Sequence, residues 1–293
     1  MKKIDGKLDM KSLSSSHLNF LFGSGINGKA FPQFNGFART LESLKNAGAK
    51  SENLEQALNE IENKDERKKI LETFKGEFKD KNDKIEWNHF SITNIKYLFS
   101  SINKIIENSE NRTNSMKQVN VYTLNYDSIV ETAIGEMGLI TNHLSSTNIE
   151  TFDSLFNIVA YDYALKKYIP TYLISHLHGD FKNPILPGVN KYDDVLQAKK
   201  FELLFKMKEH LSRRYSVLFV IGYSGHDKHI NSILKDCIKA GLTIYWVNFE
   251  SDTNIPSDLT DEDVLVIEGD GANDSTAVLN GRLKESWEQL SEE

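Results

Sequence analysis

Six short runs of apolar, β-branched and aromatic residues recur along the chain, separated by segments with helical periodicity. The runs are LNFLF (18–22), VNVYTL (119–124), TYLISHL (171–177), SVLFVIGY (216–223), TIYWVNF (243–249) and DVLVIEG (263–269). Near-continuous apolar runs of this length are typical of strands covered on both faces in a parallel sheet. The alternation therefore predicts an α/β protein with a doubly wound, mainly parallel sheet, whose ligands bind at the carboxyl ends of the strands.

The predicted helices cover about 37–110 in several pieces, then 127–138, 191–213, 226–241 and 275–291. A redox dinucleotide fold places a second strand, ending in an acidic residue, about 20 residues after its first glycine loop. This chain has helical sequence there instead, which disfavours a dehydrogenase of the usual kind. We predict one domain over 1–293, with an inserted helical module at about 35–115.

Charge and composition exclude several classes of protein. A net charge of −7 opposes a broad electrostatic grip on nucleic acid, so no direct nucleic-acid binding is expected. No run approaches the roughly 18 to 20 apolar residues of a membrane helix, and the N-terminus lacks an apolar signal core, so a cytoplasmic protein without membrane contact is expected. Cys237 is the only cysteine, which excludes an internal disulfide and a zinc site of two or four cysteines.

The first apolar run leads directly into GSGING (23–28), which has the G-x-G-x-x-G spacing. Glycine permits a tight turn there and lets backbone N–H groups approach a pyrophosphate at a helix N-terminus. Gly23, Ser24, Gly25 and Asn27 are accordingly the candidate residues for binding a dinucleotide. An ordinary strand-to-helix turn is the alternative interpretation of this loop taken alone.

The second run ends in TLNYD, which places Asn125 and Asp127 at the edge of the predicted sheet. A carboxamide such as that of Asn125 can hold a ribose hydroxyl or a water molecule without carrying charge. Asp127 precedes a predicted helix and is expected to cap it, whatever other role it has.

The third run ends in HLHGD, in which alternation along a strand predicts His176 and His178 on one face. A single histidine is usually structural. Two histidines followed by Gly179 and Asp180 at a strand end favour a functional site.

Two later strand ends complete the set of candidate residues. In GYSGHD, Gly222 and Ser224 are expected to lie against a nucleoside, and in VNFE, Asn248 and Glu250 are available for ribose hydroxyls. A simple polar strand exit is the alternative interpretation of the last pair.

These motifs, in this order and each at a strand end, resemble the sirtuin-like fold, and most closely the sirtuin-like NADase domains of bacterial anti-phage defence systems. The resemblance rests on FGSGIN, TLNYD, HLHGD, GYSGHD and VNFE and spans about 18–270. It implies a Rossmann-like NAD domain with a helical insertion, and NAD+ as a substrate that is consumed. Ser24 and Asn27 depart from the alanine and serine usual in the family's glycine loop. The single cysteine disfavours the deacetylase branch, which carries a four-cysteine zinc module.

The resemblance also implies a mechanism. Nicotinamide leaves the ribose as a neutral molecule and needs no general acid, so the site must stabilise an oxocarbenium-like ribose and position a nucleophile. His178 is the expected base, since histidine ordinarily titrates near neutral pH. Asn125 would orient the ribose and the water, and Asp127 would shape the part of the site that holds nicotinamide. Water as acceptor gives nicotinamide and ADP-ribose, while cyclisation or transfer to another acceptor stays open; no metal is expected.

Two other functions compete with this interpretation. His176, His178 and Asp180 fit a His-x-His-x-Asp spacing that can bind zinc in a metal-dependent hydrolase, although Phe181 stands where the usual motif continues with histidine. A non-catalytic sensor of NAD or ADP-ribose is the second alternative.

The sequence shows no sensor domain beside the predicted NADase domain. Uncontrolled loss of NAD+ is costly to a cell, so regulation is expected through a homo-oligomer or a separately encoded partner. The resemblance suggests a HerA-type hexameric DNA-translocating ATPase as one such partner, and the depletion of cellular NAD+ as the defence effect.

Overall fold

The structure is a computed structural model that describes residues 2–4, 7–51, 54–107, 112–137, 141–145, 158–162, 167–170, 172–180, 194–250, 255–259 and 263–290. The strands are β1 (Lys2–Lys3), β2 (His17–Phe22), β3 (Val119–Thr123), β4 (Thr141–Ser145), β5 (Ile158–Asp162), β6 (Lys167–Pro170), β7 (Tyr172–His176), β8 (Ser216–Ile221), β9 (Thr243–Val247) and β10 (Val264–Ile267). The helices are α1 (Met10–Ser14), α2 (Ala38–Asn46), α3 (Leu54–Glu60), α4 (Lys64–Asn82), α5 (Phe90–Glu107), α6 (Ile129–Gly135), α7 (Asp194–Leu211), α8 (Lys228–Lys239) and α9 (Ser275–Leu290).

The main sheet has eight strands in the order β1-β10-β9-β8-β2-β3-β7-β4, and all of its neighbouring strands are parallel. Strands β5 and β6 form a separate antiparallel pair. The predicted doubly wound parallel sheet is confirmed, and all six predicted strands belong to it. The sequence analysis missed β1, β4 and the β5–β6 pair.

The central strands are buried on both faces, as their continuous apolar sequences predict. In β2, Phe20 and Phe22 face a core that includes residues of α2, α4, α5, α6 and α9, whereas Leu21 faces a second core formed with α7 and α8. Strand β8 divides its side chains in the same way, with Phe219 on the first face and Leu218 on the second. The sheet is therefore covered on both sides by helices, which is the doubly wound arrangement.

A polar pair lies within this apolar sheet. The Asn120 Nδ2 on β3 donates to the Asn19 Oδ1 on β2 at 2.8 Å. The Asn19 Nδ2 in turn donates to the backbone oxygen of Val217 on β8 at 3.0 Å. Asn19 thus connects the three strands at the centre of the sheet through its side chain.

Helices α2 to α5 occupy the stretch between β2 and β3, although these two strands are neighbours in the sheet. Helix α5 packs on the sheet through Ile92, Ile95, Phe99 and Ile102, which recur at helical spacing and are fully buried. Helix α2 is held by α4, because the buried Glu77 carboxylate accepts hydrogen bonds from the first turn of α2. None of the helices in the described part of the chain combines the length and the apolar character that a membrane span requires.

The winding of the sheet reverses between β2 and β8. From β2 the chain continues to β3 on one side, and from β8 it continues to β9 on the other, so the loops 23–28 and 222–227 meet at the reversal. An added Cβ at Gly23 would lie 2.7 Å from the Cα of Tyr223, and one at Gly25 would lie 2.8 Å from the Cα of Gly222. The glycines are therefore required by the approach of the two loops. The loop continues as a four-residue 3-10 turn, Ser24–Asn27.

We expect Gly23→Ala to lower the free energy of unfolding by about 1–3 kcal/mol, because the methyl group would overpack the loop contact. Gly76→Ala is the matched control. Gly76 lies inside α4 with open space around the added Cβ, and its replacement should raise stability by up to about 1 kcal/mol. Urea unfolding followed by circular dichroism measures both changes. Equal stability of the two variants would contradict the close approach of the loops.

Candidate active site at the strand ends

A pocket of about 200 Å³ opens at the carboxyl ends of β2, β3 and β7. It brings together five of the candidate residues, which come from three separate loops: Ser24, Asn27, Asn125, Asp127 and His178. The remaining described residues of its lining are Phe31, Pro32, Gln33, Phe34, Phe37, Leu54, Phe74, Phe78, Leu124 and Tyr126. The pocket therefore has a polar side from the loops at the strand ends and an apolar side from the segment 31–37, from α3 and α4, and from the loop after β3.

Asn27 and Asp127 form a buried amide–carboxylate pair on the polar side. The Asn27 Nδ2 donates to the Asp127 Oδ2 at 2.6 Å, while the Asp127 Oδ1 accepts from the backbone N–H of Ile129 at 3.0 Å. The prediction that Asp127 caps α6 is one residue off: Ser128 is at the N-cap position, while the Asp127 carboxylate accepts the N–H of Ile129, the first residue of the helix. The Asn27 Oδ1 is buried and has no hydrogen-bond partner among the described residues.

Burial raises the pKa of Asp127 to about 6, although the hydrogen bonds from Ile129 and Asn27 oppose the shift. A buried carboxylate costs desolvation free energy that these two donors only partly recover. Asp127 consequently binds or releases a proton just below neutral pH, inside the pocket.

The Asn125 side chain is held against the glycine loop. Its Nδ2 donates to the backbone oxygen of Gly23 at 3.3 Å, and its backbone N–H donates to the Thr123 Oγ1 at 3.1 Å. Asn125 is 7% exposed, yet it lines the pocket. Its carboxamide is therefore fixed in one orientation before any ligand enters.

His176 does not share a face with His178, and that prediction is wrong. Strand β7 ends at His176, so the alternation of a strand does not extend to His178, which lies in the following turn. The ring of His176 is buried, with its Nδ1 on the backbone oxygen of Asn125 and its Nε2 on the Glu131 carboxylate of α6. The buried His176 ring therefore holds the loop that carries Asn125, through the hydrogen bond to the backbone oxygen of Asn125.

Burial alone would lower the pKa of His176, but the charge and hydrogen bond of Glu131, with the Asn125 carbonyl, raise it to about 9. His176 is thus protonated at neutral pH, and both of its N–H groups donate. The sequence analysis missed Glu131, whose only signal was an acidic residue within a short, largely apolar helix.

His178 faces a different partner. Its Nε2 lies 3.0 Å from the Oδ2 of Asp227, the residue that precedes α8. The two histidines therefore do not converge on one point. In the part of the chain that the structure describes, no group of three or more His, Cys, Asp or Glu side chains is placed to hold a metal ion. This geometry does not favour the zinc set of His176, His178 and Asp180.

The other nucleotide-binding candidates are not among the described residues of the pocket lining. Gly222 packs against Gly25, and the Ser224 Oγ bonds the Nδ1 of the exposed His226 at 2.8 Å. Asn248 is buried, and its Nδ2 has no partner among the described residues, whereas Glu250 is exposed. Their predicted contacts with a nucleoside stay predictions.

The apolar side of the pocket is largely aromatic, and the sequence analysis missed it. Phe31, Phe34 and Phe37 recur every third residue after the glycine loop, and Phe37 and Phe78 stack at 5.9 Å. Tyr126 meets the ring of Phe78 edge-on at 6.4 Å, which joins this wall to the β3 loop. The dense aromatic sequence AFPQFNGF (30–37) was the available signal.

The fold and this site define a Rossmann-like α/β protein whose pocket lies at the carboxyl ends of β2, β3 and β7, beside the point where the winding of the sheet reverses. Residues 119–267, just over half of the chain, match the SIR2-like domain family. The chain belongs to this family, and the sirtuin-like resemblance of its motifs is confirmed. No curated protein matches the chain at a significant level.

Several solved structures of Sir2 proteins are similar over nearly their whole length. A Sir2 enzyme structure concerned with mechanism and regulation has 15% identity and a TM-score of 0.47, covering 96% of this chain and 97% of that chain. A mutated Sir2 homologue in complex with 2'-O-acetyl ADP-ribose has 16% identity and a TM-score of 0.49, with 96% of each chain covered. A Sir2 homologue in complex with NAD has 14% identity and a TM-score of 0.46, covering 97% of this chain and 96% of that chain.

The protein should lose stability as the pH rises from about 6.5 to about 9. His176 keeps its proton in the folded state across this window and releases it in the unfolded chain, so its contribution is full below the lower pH and lost at the higher. The slope for one proton is at most about 1.4 kcal/mol per pH unit. The double variant His176→Gln, Glu131→Gln should have a smaller slope. Urea unfolding at several pH values measures it, and identical slopes would contradict the charged pair.

Proposed function

We propose that this protein is an NAD+ glycohydrolase that converts NAD+ and water into nicotinamide and ADP-ribose. The observation that carries the proposal is the meeting of Asn125, Asp127 and His178 in one pocket, although they come from two strand ends that are far apart in the sequence. Membership of the SIR2-like family, together with the glycine loop beside this pocket, supports NAD+ as the substrate.

The two sides of the pocket suit the two parts of nicotinamide. A primary carboxamide has donors and an acceptor, and the Asn27–Asp127 pair offers an amide and a carboxylate at the polar side. The pyridine ring is planar and aromatic, and the wall that contains Phe37, Phe78 and Tyr126 offers apolar contact and edge-to-face partners. We propose that nicotinamide occupies the part of the pocket lined by the Asn27–Asp127 pair and by this aromatic wall, and that it departs from there.

In the proposed reaction the bond between the ribose C1' and the pyridinium nitrogen breaks, and its electron pair leaves with neutral nicotinamide. Asn125 orients the ribose and the attacking water, since its carboxamide is already fixed by the glycine loop. Water forms the new bond to C1', and His178 takes its proton and passes it to solvent. Negative charge on Asp127 favours the cationic, oxocarbenium-like ribose.

His178→Ala and Asn125→Ala should each lower the rate of nicotinamide release by about 100-fold or more, the scale of a lost general base or positioning group. Liquid chromatography of nicotinamide and ADP-ribose from NAD+ measures the rate. His229→Ala is the matched control, because its exposed side chain lies on α8 outside the pocket lining.

Circular dichroism and thermal melting must show that the variants are folded. Near-normal cleavage of NAD+ by folded His178→Ala or Asn125→Ala protein would overturn these assignments. Detection of a cyclic product or of ADP-ribose joined to another acceptor would change the reaction from hydrolysis to cyclisation or transfer.

The rival metallohydrolase makes the opposite prediction about metal. We expect NAD+ cleavage to survive EDTA, because the departure of a pyridinium needs no Lewis acid. Elemental analysis before and after EDTA treatment, with activity measured on both samples, tests this. One zinc per chain that is lost together with activity, and equal metal loss in His176→Ala and His178→Ala, would favour the zinc site instead.

We further propose that cleavage serves anti-phage defence by depleting cellular NAD+ in the cytoplasm. The support is the resemblance of the motifs to sirtuin-like NADases of bacterial defence systems. Such an activity harms the cell that makes it, so it must be low until infection. Control by homo-oligomerisation or by a separately encoded partner, such as a HerA-type ATPase, meets that requirement.

A further inference from the structure

Asp227 contacts the proposed base through one carboxylate oxygen and the first turn of a helix through the other. Its Oδ2 lies 3.0 Å from the His178 Nε2. Its Oδ1 accepts from the backbone N–H groups of His229 and Ile230, which lie in the first turn of α8. The capping bonds fix the direction of the carboxylate, and the second oxygen is thereby aimed at the imidazole.

The loop that carries Asp227 is also held by its own side chains. The Tyr223 hydroxyl contacts both the N–H and the carbonyl oxygen of Asp227, and it donates to the Asn231 Oδ1 at 2.8 Å. The Asn231 Nδ2 donates to the backbone oxygen of Gly225 at 2.7 Å. Loop and helix are therefore joined in one hydrogen-bonded unit, which limits the freedom of the carboxylate.

The contact selects one form of the imidazole. An ionised carboxylate only accepts hydrogen bonds, so the His178 Nε2 must carry a hydrogen, and in the neutral ring the lone pair is then on Nδ1. No described residue hydrogen-bonds this Nδ1. The side chains of His178 and Asp227 are 12% and 14% exposed, so water competes only weakly for the contact.

We infer that Asp227 is the positioning residue of the active site: it holds His178 in the tautomer whose Nδ1 accepts the proton of the attacking water. The part of this inference that concerns catalysis rests on the proposed function. When Nδ1 takes the proton, the imidazolium carries N–H groups on both nitrogens, and the Asp227 carboxylate stabilises this cation until the proton leaves to solvent. Serine hydrolases orient their histidine by the same physical device.

Asp227→Asn and Asp227→Ser separate this role from helix capping. Asparagine and serine both cap helices well, so α8 should remain folded in both variants, but neither presents a carboxylate to His178. Asp9→Asn is the control for loss of charge at a cap, because Asp9 caps α1 and is not among the described residues of the pocket lining. Thermal melting compares the stability of the three variants.

Nitrogen-15 NMR of the imidazole reads the tautomer without any turnover. At a pH at which His178 is neutral, we expect its unprotonated nitrogen to be Nδ1 in the wild-type protein, and this preference to weaken in both Asp227 variants. His178→Ala assigns the signal by its disappearance. An unprotonated Nε2 in the wild type, or an unchanged tautomer in both variants, would overturn the inference.

Kinetics then tests the role in catalysis. Asp227→Asn should lower the kcat of nicotinamide release by about 10-fold or more with little change in KM, the behaviour of a group that orients a base. In the His178→Ala background the same substitution should have no further effect, because Asp227 acts through His178. An unchanged kcat, or a full additional loss in that background, would refute the positioning role. A wild-type protein that releases no nicotinamide would refute the proposed function alone, since the NMR result stands by itself.

Discussion

The backbone contact between the loops 23–28 and 222–227 is the constraint on which the site depends. It joins the two loops where the winding of the sheet reverses, and it sets the distance between the ends of β2 and β8. The Asn125 amide is bonded to the first loop, and Asp227 ends the second. The close approach that Gly23, Gly25 and Gly222 permit therefore determines where Asn125 and Asp227 lie. A side chain in this contact would move both groups at once.

A second property of the site is that two of its buried side chains have shifted pKa values. Asp127 and His176 are both buried near Asn125, but their hydrogen-bond partners differ in charge, so the main causes of their pKa shifts differ. Asp127 has neutral donors, and its pKa rises to about 6; His176 has the Glu131 carboxylate, and its pKa rises to about 9. At neutral pH the pocket thus has a largely ionised carboxylate at its surface and a charged pair beneath.

The sequence predicted the main sheet because its central strands are buried on both faces and so have nearly continuous apolar runs. Strand β4, with the sequence TNHLS, has no such run, and periodicity could not reveal it. The motifs located Asn125, Asp127 and His178 because strand ends are local features. The partners Glu131 and Asp227 are 45 and 49 residues away from the histidines that they contact, and no local pattern reports such pairs. The error about His176 arose because a strand's exact end is set by its neighbours in the sheet.

The hydrogen bonds of the Asn19 side chain show in which order the centre of the sheet can form while the chain is being synthesised. Its partners on β3 and β8 lie 101 and 198 residues further along. At about 5–20 residues per second, a ribosome needs roughly 10 s or more to deliver the second partner. Until β8 has been made, β2 is an apolar strand with at least one unpaired edge, the kind of segment that aggregates or recruits a chaperone. The centre of the sheet therefore begins with one of the earliest strands to be synthesised, β2, and is complete only when β8 has been made.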